Sequence, residues 1–300
     1  MRLVTYRVGD GQPRAGALVG DQRENVVDLA QASGGALPDS VLGLIEAGPE
    51  ALALAKAVVA QATTSLPLAA VTLLAPIPRP ARNLICLGLN YRAHAEEGAS
   101  LFGTRTEDPP FPMFFTKTPA TVIGPDAAIE IDAALTQQAD WEVELAVVIG
   151  PGGRDITQQA AFDHIFGYTI ANDVSARDVQ FRHGGQFFKG KSFDTFCPLG
   201  PYIVTADEIA DPGALDIMLR VNGVEKQRSN TRELIFDIPT TIASLSEGLT
   251  LQPGDVILTG TPHGVGFARK PPEFLTHGDI VECEIAGLGL LRNSVITRNQ

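Results

Sequence analysis

The sequence is poor in cysteine, in positive charge and in long apolar runs, and each shortage excludes a class of protein. Its 300 residues include three cysteines, Cys86, Cys197 and Cys283. They are odd in number, far apart and in no C-x-x-C pair, which argues against a disulfide framework and against a thiolate zinc site. We therefore predict that all three are small buried hydrophobic side chains.

The shortage of positive charge excludes anionic polymers and surfaces as partners. Lysine and arginine number 23 against 35 acidic residues, so the formal net charge is −12. Nucleic acids and anionic membranes are bound through clusters of Lys and Arg, and the sequence has none. We expect no nucleic-acid partner and no membrane partner.

Long apolar segments and common catalytic signatures are missing too. The N-terminus has no apolar run of signal-peptide length, and the longest apolar stretch, LPLAAVTLLAPIP, is too short and too broken by proline to span a bilayer. The sequence has no H-E-x-x-H, no G-x-S-x-G, no Walker loop and no strand-linked G-x-G-x-x-G. These absences predict a cytoplasmic protein outside the commoner hydrolase and nucleotide-binding classes.

The patterns that are present divide the chain into two predicted units. Residues 1–75 have the alternation of a short β-meander and then Ala/Leu-rich helical spacing, which predicts a small α+β unit. Closely spaced prolines, from Pro76 to Pro80, mark the boundary. Residues 76–300 form a series of short strand-like segments, in which only YRAHAEEG and PTTIASLSEGLTL resemble helices. The predicted fold class is mainly β (α+β), with a β-sandwich or β-roll in the second unit.

The stretch ADWEVELAVVIG, residues 139–150, carries two acids inside an apolar strand. Side chains alternate along a strand, so Glu142 and Glu144 share one face. Exposure to water would explain isolated acids, but this face continues as Ala146 and Val148. Two close and partly desolvated carboxylates repel each other unless a cation lies between them. They suit a hard divalent ion such as Mg²⁺, Mn²⁺ or Ca²⁺.

Three other segments carry polar side chains that could join such a site. The strand IFGYTIAND ends at Asp173, which is either the N-cap of the next segment or a third hard ligand. On the predicted helix YRAHAEEG, His94 and Glu97 share a face, either as solvated surface residues or as a carboxylate-supported general base. In GGQFFKGKSF, Lys191 either extends from a core edge towards water or donates to a developing oxyanion.

Together these segments resemble the fumarylacetoacetate hydrolase family. The order LGLNYRAHAEEG, EVELAVVIG, GYTIANDVSARDVQ, KGKSFDTFCPLGP and DVILTGTPHGVG is similar to that family from about Pro76 to the C-terminus, and the combination is highly specific. The resemblance implies a β-roll catalytic domain of that family after the small N-terminal unit, and a homodimer. It also implies that Glu142, Glu144 and Asp173 bind the metal, with Mg²⁺, Mn²⁺ or Ca²⁺ as the cofactor.

The same resemblance implies roles for the remaining polar residues. His94 and Glu97 match the family's catalytic dyad on a mobile lid, which we place between residues 96 and 110. Lys191 matches the lysine of the family's G-K-S-F segment. The substrate-site positions of the family fall on Arg177, Gln180 and Thr261.

Members of the family act on 2-oxo acids through an enolate, whose negative charge a chelating divalent metal can hold. The first interpretation is a hydrolase that cleaves a carbon–carbon bond in a 2,4-dioxo acid of the acylpyruvate or fumarylpyruvate type, as in the catabolism of aromatic compounds. The alternative is a decarboxylase, isomerase or lyase of 2-oxo dicarboxylic acids, such as oxaloacetate, on the same site. A non-catalytic binding protein is a third interpretation, which the intact set of motifs disfavours.

Overall fold

The structure is a computed structural model that describes residues 1–102 and 109–298. The middle of the predicted lid, residues 103–108, lies outside the described residues. The strands are β1 Arg2–Arg7, β2 Arg14–Val19, β3 Asn25–Asp28, β4 Leu66–Pro67, β5 Thr72–Leu74, β6 Leu84–Gly88, β7 Met113–Lys117, β8 Val122–Ile123, β9 Ala128–Asp132, β10 Ala139–Asp140, β11 Val143–Ile149, β12 Ile165–Asn172, β13 Ser175–Ala176, β14 Cys197–Thr205, β15 Asp216–Val221, β16 Val224–Asn230, β17 Val256–Leu258, β18 Ile280–Ile285 and β19 Gly289–Arg298. The helices are α1 Leu29–Ala32, α2 Val41–Glu46, α3 Gly48–Gln61, α4 Arg92–Phe102, α5 Arg177–Arg182, α6 Phe188–Lys191 and α7 Ile238–Ser246.

Two sheets organise the described residues. The larger has twelve strands in the order β4-β3-β2-β1-β14-β12-β11-β17-β6-β7, with β5 beside β1 and β8 beside β14. The smaller has five strands in the order β16-β15-β18-β19-β9, and β10 pairs with β13 in a separate ribbon. Strand β17 lies between β11, to which it is antiparallel, and β6, to which it is parallel.

The large sheet buries both of its faces. Along β11, Val143 and Leu145 belong to one core cluster together with side chains from β15 and β18 of the smaller sheet. The alternate residues Ala146 and Val148 belong to a second cluster, which includes Leu44 of α2. The sheet is therefore covered by the smaller sheet on one side and by N-terminal helices on the other, as the alternation of side chains along β11 requires.

The structure confirms the predicted mainly-β class with few helices. It confirms helices in the two segments predicted from residues 91 and 239 onward, and all three cysteines are buried and free. The prediction of only two helices after residue 76 was wrong, because α5 and α6 also form. These have six and four residues, too few to show a helical period in the sequence. No helix among the described residues is long and apolar enough to cross a membrane.

The predicted boundary near residue 75 separates segments that share one sheet. Strand β1 pairs with β14, so that Leu3 lies opposite Ile203, and it also pairs with β5. The strands of residues 1–75 thus extend the large sheet on the side away from β11. The division of the chain at residue 75 stays a prediction.

Candidate active site

Strands β11 and β12 bring three acids together at one end of their ladder. Val143 lies opposite Asn172, and the Asp173 amide donates to the Glu142 carbonyl oxygen at 2.8 Å. Glu142, Glu144 and Asp173 each offer a carboxylate oxygen, and these oxygens lie within 4.8 Å of one another. All three residues are buried. The geometry therefore brings together the three acids that the family resemblance assigned as ligands.

The donor set suits a hard divalent cation. Carboxylate oxygens are the ligands that Mg²⁺, Mn²⁺ and Ca²⁺ prefer, and three from two neighbouring strands leave further positions for water or substrate. Among the described residues, no lysine or arginine is bonded to Glu144, whose Oε2 accepts a hydrogen bond from the Gly260 amide at 2.6 Å. These residues could hold a metal ion.

Seven charged side chains are buried around this point. The four acids are Asp140, Glu142, Glu144 and Asp173, and the three cations are Lys117, Arg177 and Lys191. Buried charges are costly unless they are paired, and with all groups ionised the acids exceed the cations by one. A cation from solution would more than offset this excess.

Two lysines bind the same aspartate from different sides. Lys191 Nζ lies 2.7 Å from Glu142 Oε2 and 2.8 Å from Asp173 Oδ2, so its ammonium bridges two of the three acids. Lys117 Nζ lies 2.6 Å from Asp173 Oδ1 and 3.1 Å from the Val174 carbonyl oxygen. The alternative in which Asp173 is an N-cap was wrong, because both carboxylate oxygens are bound by lysines and the N-cap of α5 is Ala176. Sequence analysis missed Lys117, since a lysine at the end of an apolar strand is usually taken as a surface residue.

Arg177 is held by protein groups on all sides. Its Nε donates to Asp140 Oδ2 at 2.8 Å, and its two terminal nitrogens donate to Glu142 Oε1 at 2.6 Å and Gln180 Oε1 at 3.0 Å. The guanidinium also stacks on the Phe267 ring at 4.5 Å. In this arrangement Arg177 fixes Glu142 and orients the Gln180 amide so that its nitrogen remains the available donor. The substrate roles of Arg177 and Gln180 stay predictions.

The loop after β17 ties the acids to the predicted dyad. Gly260, at φ +99°, brings its amide to Glu144, and a Cβ there would lie 2.8 Å from the Asn90 Cβ atom. Thr261 Oγ1 donates to the Val143 carbonyl oxygen at 3.0 Å and accepts from Gln227 Nε2 at 2.9 Å. Its substrate role stays a prediction, since both bonds are structural. Gln227 on β16 links the smaller sheet to this loop, and no sequence motif had pointed to it.

His94 and Glu97 lie together on α4, as predicted from their spacing. His94 is buried, and its Nδ1 lies 3.1 Å from Glu97 Oε2. The Gly264 amide donates to Glu97 Oε1 at 3.1 Å, so the loop after β17 fixes the carboxylate that supports the histidine. A histidine held in this way is suited to accept a proton.

The buried charges shift the pKa values of two acids in opposite directions. Burial alone would raise the pKa of Glu142, but the positive charges of Lys191 and Arg177, with His94, hold it at about 2. Burial and the negative charges of Asp173 and Glu142 raise the pKa of Glu144 well above its usual value. Glu144 is therefore the acid whose charge most needs an added cation.

The raised pKa of Glu144 predicts that the metal-free protein loses stability as the pH rises. An unfolded glutamate titrates near its ordinary pKa of about 4.3, whereas native Glu144 keeps its proton to higher pH. Between the two values the native state binds more protons than the unfolded state, so the free energy of unfolding falls with rising pH. Thermal melting in chelator over a pH series should show a steeper fall for the parent than for Glu144→Gln. Parallel curves would contradict the assignment.

The chain is similar to known proteins of one family. The profile of the family described as "Fumarylacetoacetate (FAA) hydrolase C-terminal" matches residues 83–296. A Rattus norvegicus protein named "Oxaloacetate tautomerase Fahd2a, mitochondrial" is 43% identical over 296 residues, covering 99% of this chain and 92% of the relative. The Bacillus subtilis protein "Oxaloacetate tautomerase YisK" is 48% identical over 228 residues, covering 76% of this chain and 74% of the relative.

Solved structures are similar over the full length. A fumarylacetoacetate hydrolase from Exiguobacterium antarcticum is 40% identical, with a TM-score of 0.83 over 99% of this chain and 100% of that chain. A maleylpyruvate hydrolase from Sphingobium sp. SYK-6, solved in complex with manganese(II) and pyruvate, is 32% identical, with a TM-score of 0.79 over 100% of both chains. A metal and a 2-oxo acid are thus bound together by a protein of this fold.

Proposed function

The chain belongs to the fumarylacetoacetate hydrolase family, and from this premise we propose that it is a metal-dependent tautomerase of a 2-oxo dicarboxylic acid of the oxaloacetate type. The observation that carries the proposal is the extent of the similarity to the rat protein named as an oxaloacetate tautomerase. That similarity covers 99% of this chain, including the N-terminal residues before the segment 83–296 that the family profile matches. The family has hydrolase, isomerase and tautomerase members. The relatives' names favour the alternative left open by the sequence over carbon–carbon hydrolysis.

The proposed reaction moves one proton between a carbon and an oxygen of the substrate. In the keto-to-enol direction His94, oriented by Glu97, takes the proton from the carbon between the two carbonyl groups and delivers it to the 2-oxo oxygen, and the enol-to-keto direction is the reverse. Lys191 donates a hydrogen bond to the oxygen that gains negative charge. Arg177 holds Glu142 in place, and Gln180 offers its amide nitrogen to a substrate oxygen.

Glu142, Glu144 and Asp173 would hold the cofactor, for which we propose Mg²⁺ or Mn²⁺. Bound there, the ion would supply Lewis-acid polarisation of the 2-oxo group. The support is the buried triad of carboxylate oxygens together with the manganese complex of a solved relative.

Hydrolysis of a 2,4-dioxo acid is the second candidate. It is favoured by the similarity to a maleylpyruvate hydrolase, and by the fact that a base such as His94 can take a proton from water as well as from carbon. The two reactions would use the same base and the same acids, and they differ in whether water attacks a carbonyl carbon.

The experiment that separates the two candidates compares substrates with one preparation of metal-loaded protein. We expect Mn²⁺-loaded protein to accelerate the loss of ultraviolet absorbance as enol oxaloacetate converts to the keto form, with intact oxaloacetate recovered by chromatography. Chelator should remove the acceleration, and Mg²⁺ or Mn²⁺ should restore it. Cleavage of acylpyruvates with oxaloacetate interconversion at the buffer rate would instead support hydrolysis.

Assembly and location are separate proposals. We propose a homodimer, as the family resemblance implied, and a cytoplasmic location. The rat relative's name assigns that protein to mitochondria, and fractionation of cells that express this chain tests the location. Sedimentation of the purified protein tests the dimer directly.

A further inference from the structure

One buried hydroxyl beside the acid triad has no hydrogen-bond partner. Among the described residues, three buried side-chain nitrogen or oxygen atoms lack one: Arg2 Nε, Asn172 Nδ2 and Tyr91 Oη. Arg2 and Asn172 each use another polar atom, in bonds to Glu208 and to the Glu142 amide. Tyr91 has a single polar atom, and it is unpaired in a residue that is 1% exposed. An unpaired buried hydroxyl lowers stability, so its presence calls for an explanation.

The backbone around Tyr91 is held in place on both sides. The Tyr91 carbonyl oxygen accepts the Ala95 amide at the start of α4, and Tyr91 forms a β-bridge with Leu234. The preceding Asn90 side chain donates to the carbonyl oxygens of Phe236 and Thr259. The unpaired hydroxyl therefore belongs to a buried ring on a well-anchored segment of backbone.

The segment that carries Tyr91 contacts the loop that binds the triad. Asn90 donates to the Thr259 carbonyl oxygen, Thr259 precedes Gly260, whose amide binds Glu144, and the helix that carries His94 begins directly after Tyr91. Burial and the negative charges of Glu144 and Glu233 raise the pKa of the Tyr91 phenol. The phenol therefore keeps its proton, and it can act as a hydrogen-bond donor whose acceptor is not supplied by the protein.

We propose that Tyr91 is a substrate-binding residue, whose O–H donates to an oxygen of the 2-oxo acid bound beside Glu144. The proposal rests on the proposed function, because it requires a 2-oxo acid at the triad. Together with His94 and Lys191, Tyr91 would contact the substrate, and it would do so as a neutral donor that adds no charge to the buried charged side chains of the site. The chemistry it recognises is a carbonyl or carboxylate oxygen.

The test is Tyr91→Phe, which removes only the hydroxyl. Oxalate serves as the probe, titrated calorimetrically into the Mn²⁺-loaded protein. We expect oxalate affinity to fall by about tenfold, the usual worth of a hydrogen bond to a charged group. Mn²⁺ affinity without oxalate should stay within about twofold, and the melting temperature of the metal-free protein should be unchanged or higher, since an unpaired donor is removed.

Tyr6→Phe is the matched control. Tyr6 is equally buried, but its hydroxyl donates to Asp28 Oδ2 at 2.6 Å within the N-terminal unit. Its removal should lower the melting temperature by about 2 °C or more and leave oxalate affinity unchanged. The two variants should therefore show opposite patterns of binding and stability.

Three results would overturn the proposal, and they differ from one another. Unchanged oxalate affinity in Tyr91→Phe, with normal binding by the parent, would show that the hydroxyl donates to an internal water or stays unpaired when oxalate is bound. Failure of the parent to bind oxalate in the presence of Mn²⁺ would overturn the proposed function, and the role of Tyr91 with it. A lower melting temperature in Tyr91→Phe would also contradict the unpaired state.

Discussion

Glu144→Gln and Asp173→Asn are both expected to abolish metal binding, but to shift the stability of the metal-free protein in opposite directions. Removing a group that only hydrogen-bonds to a metal ligand already lowers metal affinity by about 10- to 100-fold. Removing the charge of a ligand itself should therefore lower it by more than about 100-fold. Turnover of oxaloacetate should disappear with the metal in both variants.

The stability difference follows from what each acid contacts. Glu144 is bound by a backbone amide and repelled by two neighbouring acids. A glutamine keeps the amide acceptor without the charge, so Glu144→Gln should be as stable as the metal-free parent or more stable. Asp173 offsets two buried lysines, Lys117 and Lys191. Leaving buried charges without a partner costs about 3–5 kcal/mol, so Asp173→Asn should melt far below the parent.

Calorimetric titration with Mn²⁺ and thermal melting in chelator measure both effects. Glu225→Gln is the control, because Glu225 is exposed and paired with Arg228 at the surface. It should change neither quantity measurably. Retained Mn²⁺ binding in either ligand variant, or a shift of both melting temperatures in the same direction, would contradict the charge arrangement described for the site.

Replacing His94 by alanine is expected to lower the turnover rate by about two to four orders of magnitude, the usual worth of a positioned general base. Mn²⁺ affinity should remain close to the parent value, because His94 is not among the three acids that could bind the ion. Glu97→Gln should have a smaller effect, since a glutamine oxygen can still accept from the histidine and from the Gly264 amide.

Steady-state rates with oxaloacetate and Mn²⁺ titrations test this prediction. His277→Ala provides the control, since His277 is exposed and its recorded contact is with the Thr297 amide. A His94 variant with the parent rate would remove His94 from the mechanism. A variant that had lost metal affinity would show that the helix supports the triad rather than the proton transfer.

The local part of the site was predictable because strand geometry is local. Glu142 and Glu144 share a face by a period of two, and His94 and Glu97 share one by helical spacing. For Asp173 the residues alone left an N-cap and a third ligand open, and the family resemblance favoured the ligand, because the place of Asp173 depends on the pairing of β11 with β12. The mainly-β class followed from many short apolar segments between turns.

The buried countercharges could not be predicted from local patterns. Lys117 and Asp140 contact partners 56 and 37 residues away, and an isolated charged residue in a sequence is most often a surface residue. Gln227 was missed for the same reason, since its partners lie on another sheet. The substrate roles of Arg177, Gln180 and Thr261 depend on a ligand, and the fold alone does not decide them.

The position of β17 has a consequence for biosynthesis. This strand lies between β6 and β11, yet it follows β11 by more than a hundred residues in the chain. A ribosome must therefore release residues beyond Gly260 before the middle of the large sheet can close and Glu144 can receive its amide. Contacts of such sequence separation form slowly. A nascent chain should remain unable to capture metal until residues beyond Gly260 have left the ribosome, and premature termination before Val256 should give no partially active product.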